Sequence, residues 1–221
     1  MKVDLHVHTR YSPDSLTTLP EVERWASRRQ LGALAILDHN TIEGAVTLAR
    51  NADLPVIVGE EILTREGEIG GLFLQEAIPP GLTPAETVRL IHEQGGLVYI
   101  PHPMDRVRQS ALDFAALIAI IDQVDILEVL NARVTLMVDN RHARAVARAY
   151  HLGQGAGSDA HQGFEIGHAY VEMEPFEDAA SLMKSLAAGR VSGRISSPLV
   201  HVGSTYAKVA KEIMSLTPFA K

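Results

Sequence analysis

Short β-rich runs alternate with amphipathic helical ones along almost the whole chain. From Lys2 to His8 polar and apolar side chains alternate, so a first strand is expected to carry Asp4, His6 and His8 on one face and Val3, Leu5 and Val7 on the other. Pro20 to Leu31 has helical spacing, with Gly32 as the expected stop, and Ala33 to Leu37 is a fully apolar strand. Thr41 to Arg50 reads as a short helix, Pro55 to Gly59 as a third strand, and Thr64 to Gln75 as a hairpin turning at Glu66-Gly67. Thr83, Pro84 and Glu86 are the N-cap, first-turn proline and capping-box acid of a helix that should run to Gln94. Further strands are expected at 97–100, 125–129, 153–157 and 169–173, and further helices at 111–121, 138–151, 179–188 and 206–216.

This rhythm implies parallel pairing and an α/β architecture. No Gly-x-Gly-x-x-Gly opens the first helix, and with about seven β/α steps a closed or distorted barrel fits better than an open doubly wound sheet. No internal repeat or linker divides the chain. Residues 1–221 read as one domain, with the C-terminal segment from about 195 to 221 packing on the barrel.

Composition narrows the chemistry. The 221 residues are 46% hydrophobic and 21% charged, and no apolar run reaches the roughly 18 residues that span a bilayer. The opening residues lack the pattern of a signal peptide, so a cytoplasmic protein is expected. With no cysteine, a metal would have to be held by imidazole and carboxylate. A net charge of −7 argues against an extended nucleic-acid surface but leaves room for a small anionic substrate, because bound divalent cations reverse the sign of an acidic pocket.

Ionisable residues recur where the strands end: His6 and His8, then Asp38 and His39, Glu60 and Glu61, His102, Glu128, and Asp159 with His161. A single histidine there is ordinarily packing, and a single glutamate is ordinarily solvated. In a β/α barrel, however, those ends meet on one rim, where such barrels carry their chemistry. His92, His142, His151 and His168 fall away from strand C-termini and read as structural; His201 sits in a segment that could fold over the mouth.

The pieces Asp4-Leu-His6-Val-His8-Thr9 with Ser12 and Asp14, Leu37-Asp38-His39-Asn40, Gly59-Glu60-Glu61-Ile62, Pro101-His102-Pro103, Glu128-Val-Leu-Asn131 and Gly157-Ser-Asp159-Ala-His161 stand in the order found in the polymerase and histidinol phosphatase (PHP) family of metal-dependent phosphoesterases, which the chain resembles over most of its length. The resemblance implies a distorted (β/α)7 barrel holding two or three divalent ions (manganese, iron or zinc, with magnesium possible) at the C-terminal rim of its strands. By the same resemblance His6, His8, Glu61 and Asp159 would bind the first ion, with Glu61 bridging to a second completed by His102 and Glu128. Asp14, His39 and His161 would bind a third.

Asp14 and Glu68 stand where many members carry histidine, and anionic oxygen there favours harder ions such as Mn²⁺ or Mg²⁺. Glu68 is a candidate ligand of the second ion or an ordinary hairpin residue. The expected chemistry is attack of an activated water on a phosphate ester of a small molecule, of the nucleotide or sugar phosphate type. His161 or His39, where not ligated, would protonate the leaving group, and Asp38 would orient a ligand. Arg133, Arg194 and Asn131 are the candidates for holding substrate. An amidohydrolase using the same ions and a non-catalytic module of this fold are the alternatives.

Overall fold

The computed structural model describes residues 1–216; positions 217–221 of the C-terminal segment expected to pack on the barrel lie outside the described residues. The strands are β1 (Lys2–Val7), β2 (Leu31–Ile36), β3 (Val56–Thr64), β4 (Gly67–Leu72), β5 (Leu97–Ile100), β6 (Ile126–Asn131), β7 (Gly153–Gly157), β8 (Ala169–Glu172) and β9 (Arg190–Gly193). The helices are α1 (Leu19–Arg29), α2 (Glu43–Asn51), α3 (Pro84–Glu93), α4 (Phe114–Ile120), α5 (Met137–Ala149), α6 (Ala179–Ala187) and α7 (Val200–Leu216).

All nine strands form one sheet in the order β7-β6-β5-β4-β3-β2-β1-β8-β9. The chain just past β7 returns to the end of β1, where Asp159 N donates to the His6 carbonyl at 2.7 Å and His8 N to the Ala160 carbonyl at 2.9 Å. A nearly closed barrel results. Its β/α repeat is not uniform, because β4 runs antiparallel to both β3 and β5 while the other ring neighbours pair in parallel. β8 and β9 continue the sheet antiparallel beyond β1.

The seven ring strands fill the barrel floor from inside with Leu5, Ala35, Ile57, Leu72, Tyr99, Ile126 and Ala156. Outside, α1 and α2 cover β1 and β2 through Val22, Ala26, Ala45 and Leu48, while α3, α4 and α5 cover β4 to β6 through Val88, Ile91, Leu117, Ala143 and Ala147. At roughly 25 cal/mol per Å² these apolar layers supply the main drive for folding.

Several boundaries differ from the sequence pattern for local reasons. Gln30 takes a left-handed conformation (φ 57°) that ends α1, leaving Gly32 inside β2. The hairpin is longer than expected, since β3 continues to Thr64 and pairs with Gly67 across Arg65 and Glu66. Asp113 caps α4 through Ala115 N at 2.7 Å, so that helix starts at Phe114 rather than Ala111. α7 begins six residues before Tyr206. β9 is too short to show any periodicity.

Strict alternation in β1 also fails. Pairing with β2 is irregular between Asp4 and Val7. Val3 and Leu5 join the inner cluster, Val7 joins the outer layer beneath α1, and Asp4 turns aside to accept from Ser158 N (2.8 Å), Ser158 Oγ (2.6 Å) and Gly167 N (2.8 Å). An irregularity of this kind re-aims side chains at a barrel rim, and here it turns His6 and His8 into the mouth.

Candidate metal centre

At three places on the rim the backbone is left-handed at or beside a site residue. His102 and Asp159 have φ of 32° and 53°, and Asn40, next to His39, has 56°. Left-handed backbone at residues other than glycine costs on the order of 1–3 kcal/mol each, and such strain collects at functional sites. The hairpin brings Glu61 opposite Gly70 and Leu63 opposite Glu68, so Glu61 and Glu68 are diagonal neighbours on one face.

Four atoms converge at the centre. His6 Nε2 and His8 Nε2 lie 3.0 Å apart; Glu61 Oε2 is 3.6 and 3.4 Å from them, and Asp159 Oδ1 is 3.8 and 3.5 Å from them. All four residues are fully buried. Ligand bonds of about 2.0–2.2 Å in a tetrahedron put neighbouring donor atoms roughly 3.3–3.6 Å apart, and these separations bracket that range.

The hydrogen bonds behind the imidazoles show what the centre is suited to hold. His6 Nδ1 is 3.2 Å from Glu128 Oε1, an acceptor, so its proton sits on Nδ1 and its lone pair on Nε2. His8 Nδ1 faces Ser12 Oγ at 3.0 Å, and that hydroxyl donates its own proton to Asp38 Oδ1 at 3.0 Å, so His8 too presents a lone pair at Nε2. In their neutral forms the two imidazoles thus turn lone pairs towards two carboxylate oxygens. Glu61 Oε2 and Asp159 Oδ1, both buried, have no hydrogen-bond partner among the described residues. Such a set repels itself unless a cation lies among it, and a divalent ion fits its chemistry.

A second group adjoins the first through Glu61. His102 Nε2 is 2.8 Å from Glu61 Oε1 and 3.6 Å from Glu68 Oε2, while His39 Nδ1 is 3.2 Å from Glu61 Oε2 and 3.5 Å from Glu68 Oε1. Glu68 Oε2 is also buried and unpartnered, so this hairpin residue belongs to the cluster by position. On the other side, Asp14 Oδ2 is 3.1 Å from His161 Nε2 and 3.4 Å from His39 Nε2. His161 Nδ1 donates to the Asp159 carbonyl at 2.8 Å, which aims its Nε2 lone pair at the Asp14 carboxylate.

Proton affinities follow this crowding. Burial opposes charge on His6, yet without an ion Glu128, Asp159 and Glu61 hold its pKa well above the ordinary value, so a proton takes the place a cation would fill. Burial and the neighbouring His161 push His8 well below. His39 is raised to about 9, because Glu61, Asp14 and Glu68 outweigh burial. Burial and the adjacent Glu61 raise Glu68, whereas Arg108 and His6 overcome burial and hold Asp159 far below the usual carboxylate range.

Three expected site residues have their polar atoms committed behind the cluster. Glu128 accepts from Tyr99 Oη (2.7 Å) and His6 through one oxygen, and from His102 N (2.6 Å) and Asn131 Nδ2 (2.9 Å) through the other. It holds two imidazole-bearing strands in place instead of facing the second group. Asn131 Nδ2 also reaches Asp159 Oδ2 at 3.2 Å, and its Oδ1 accepts from Arg133 N. Asp38 takes Thr9 N and Thr9 Oγ1, both at 2.6 Å, together with Ser12 Oγ.

The expected arginines separate. Arg133 lines a cavity of about 240 Å³ beside the cluster, together with Asp14, Arg108, His161, His201 and Ser204. Arg194 instead places Nη2 2.9 Å from His168 Nε2 and does not line that cavity. Arg108 gave no sequence signal, because the loop between β5 and α4 has no periodicity; it donates through Nη2 to Asp159 Oδ2, behind the oxygen that faces the histidines.

Residues 138–191 match the PHP-associated family. The chain is 43% identical over 126 residues to the uncharacterized protein MJ1587 of Methanocaldococcus jannaschii, covering 51% of this chain and 74% of that one. It is 37% identical over 175 residues to the uncharacterized protein MJ0417 of the same organism, covering 78% and 70%. Among solved structures it is similar to a two-domain protein from Bacteroides vulgatus containing a predicted PHP-like metal-dependent phosphoesterase (17% identity, 94% of this chain and 69% of that one, TM-score 0.68). It is also similar to an amidohydrolase from Chromobacterium violaceum with bound sulfate and no metal (20%, 76% and 90%, TM-score 0.60). A third is the lesion-specific endonuclease EndoQ from Pyrococcus furiosus (15%, 86% and 57%, TM-score 0.58). At these identities the structures share the fold.

Proposed function

The chain belongs to the PHP family, and from that premise we propose that it is a metal-dependent phosphoesterase acting on a phosphate ester of a small molecule. The observation that carries this reading is the set of inward-facing donor atoms on His6, His8, Glu61 and Asp159, each ring held from behind and each facing carboxylate oxygen left without a partner. These four would hold one divalent ion. Glu61, Glu68 and His102 would hold a second, and Asp14, His39 and His161 a third. Bound there, divalent cations would supply Lewis acidity for activating water and for offsetting phosphoryl charge.

The chain's own residues supply the remainder. Arg108 and Arg133 border the cavity and present guanidinium nitrogens suited to phosphate oxygens. Arg108, anchored on Asp159, couples the phosphate site to the first ligand set. Glu128 holds His6 and Asp38 holds Ser12, so both imidazoles keep their Nε2 turned inward. Where the third position carries no cation, His39 keeps a proton at neutral pH and can give it to the departing oxygen.

The negative overall charge supports a small substrate over a duplex. No helix among the described residues is long and apolar enough to cross a membrane. Manganese-loaded protein assayed against phosphomonoesters, phosphodiesters, abasic duplex DNA and amides tests the reading. Turnover of phosphomonoesters supports it, turnover of amides alone overturns it, and absence of all turnover at full metal occupancy favours a non-catalytic module.

A further inference from the structure

α7 runs across the mouth of the barrel. Val200, Ser204, Ala207 and Lys211, four, three and four residues apart, share one face of the helix, and Val200 and Ala207 on it are buried. At the start of that face, Arg133 Nη2 donates to the Val200 carbonyl at 3.3 Å and to Ser204 Oγ at 2.9 Å. At its far end, Lys211 Nζ donates to the carbonyls of Arg10, at 2.5 Å, and of Ser12. Ser12 is the residue whose hydroxyl orients His8. The helix is therefore fastened at both ends to loops that carry the site, and the opposite face, with Val202, Tyr206 and Val209, is exposed.

Between helix and cluster lies the 240 Å³ cavity, with His201 and Ser204 of α7 on one side and Asp14, His161, Arg108 and Arg133 on the other. This is below the roughly 300–1,000 Å³ of sites that enclose drug-sized ligands. It suits a phosphate carrying a short organic group. A phosphodiester needs room for a substituent on both sides, and α7 borders this cavity through His201 and Ser204.

We propose that α7 is the specificity wall of the site: His201 and Ser204 close the cavity around a phosphate monoester, and the Lys211 contact holds the wall shut against diesters. The proposal rests on the phosphoesterase reading, and two readouts separate them. One is amide hydrogen exchange of manganese-loaded full-length protein with and without inorganic phosphate. The other is kcat/KM for 4-nitrophenyl phosphate and bis(4-nitrophenyl) phosphate with the native chain, Lys211→Ala and Ser204→Ala.

Phosphate is expected to slow exchange in residues 200–211 about fivefold or more. Lys211→Ala is expected to raise the diester-to-monoester ratio about tenfold at unchanged metal content, with Ser204→Ala changing it in the same direction. Unchanged α7 exchange on adding phosphate, or an unchanged ratio in both variants although α7 exchanges faster, overturns the wall. If phosphate protects α7 but no ester is turned over, the phosphoesterase reading fails and takes ester selection with it, leaving α7 only as one side of a phosphate-binding cavity. If esters are turned over with α7 unprotected, the wall fails and the reading stands.

Discussion

Among the described residues, buried histidines lie in two places, several at the barrel rim and a single one, His168, beside β8. In the second, His168 Nδ1 meets Ser196 Oγ at 2.7 Å and its Nε2 meets Arg194 Nη2 at 2.9 Å, with Arg29 Nη2 at 3.4 Å. Both ring nitrogens are occupied. At the rim, His6 and His8 are at least as deeply buried, yet their Nε2 atoms face each other and two carboxylate oxygens that have no hydrogen-bond partner among the described residues. A buried histidine is therefore uninformative until its partners are counted. What separates a packing histidine from a ligand is a lone pair that burial has left unanswered.

The sharpest way to break this contrast is to remove a rim donor. His8→Ala and Asp159→Asn are expected to lower phosphoesterase activity about 10³-fold or more and to lose bound metal, as seen by elemental analysis. Retained metal in both variants would erase the distinction between the two groups.

Metal itself comes next in size. Adding Mn²⁺ at about 100 times its dissociation constant should stabilise the protein by roughly 2.7 kcal/mol against denaturant, because the ion relieves repulsion in the folded state alone. His168→Gln should keep that gain in full, and Asp159→Asn should not.

Glu128 sharpens the comparison, since it supports a ligand without being placed as one. Glu128→Gln weakens the hold on the Nδ1 proton of His6, and titration should show metal affinity reduced about 10- to 100-fold with stoichiometry unchanged. A reduced stoichiometry would make Glu128 a ligand.

The smallest effect belongs to His168, whose pKa is lowered to about 4 by burial and by Arg194 and Arg29. A histidine depressed below its unfolded value near 6.5 contributes stability that is complete above that pH and is lost as pH falls towards about 4. Metal-free His168→Gln should therefore lose a pH-dependent component on the order of 1–2 kcal/mol between these limits, read by denaturant midpoints. An unchanged slope would mean that His168 is solvated.

Much of the rim was legible in the chain itself. Strand ends can be located from apolar runs, and His6, His8, His39, Glu61, His102, Asp159 and His161 stand there as residue types that bind cations. Helix α3 was equally plain, because Thr83, Pro84 and Glu86 form a local capping signal that the structure contains at Thr83 and Glu86. Such features depend on neighbours within a few residues.

Tertiary structure decided the rest. The irregularity between Asp4 and Val7 arises from pairing with β2 and from the pull of Ser158 and Gly167 on Asp4, more than 150 residues away along the chain. Glu128 was as plausible a ligand as Glu61 until Tyr99, His6, His102 and Asn131 used both its oxygens. Arg108 and Arg133 enter the site, and Arg194 does not, according to which carboxylate, imidazole or hydroxyl each guanidinium meets after folding. Residue chemistry and spacing are written locally, so the chain determines which groups can bind or react. Whether a group is answered or left facing an empty direction depends on contacts between distant segments, and only the folded, nearly closed barrel settles that.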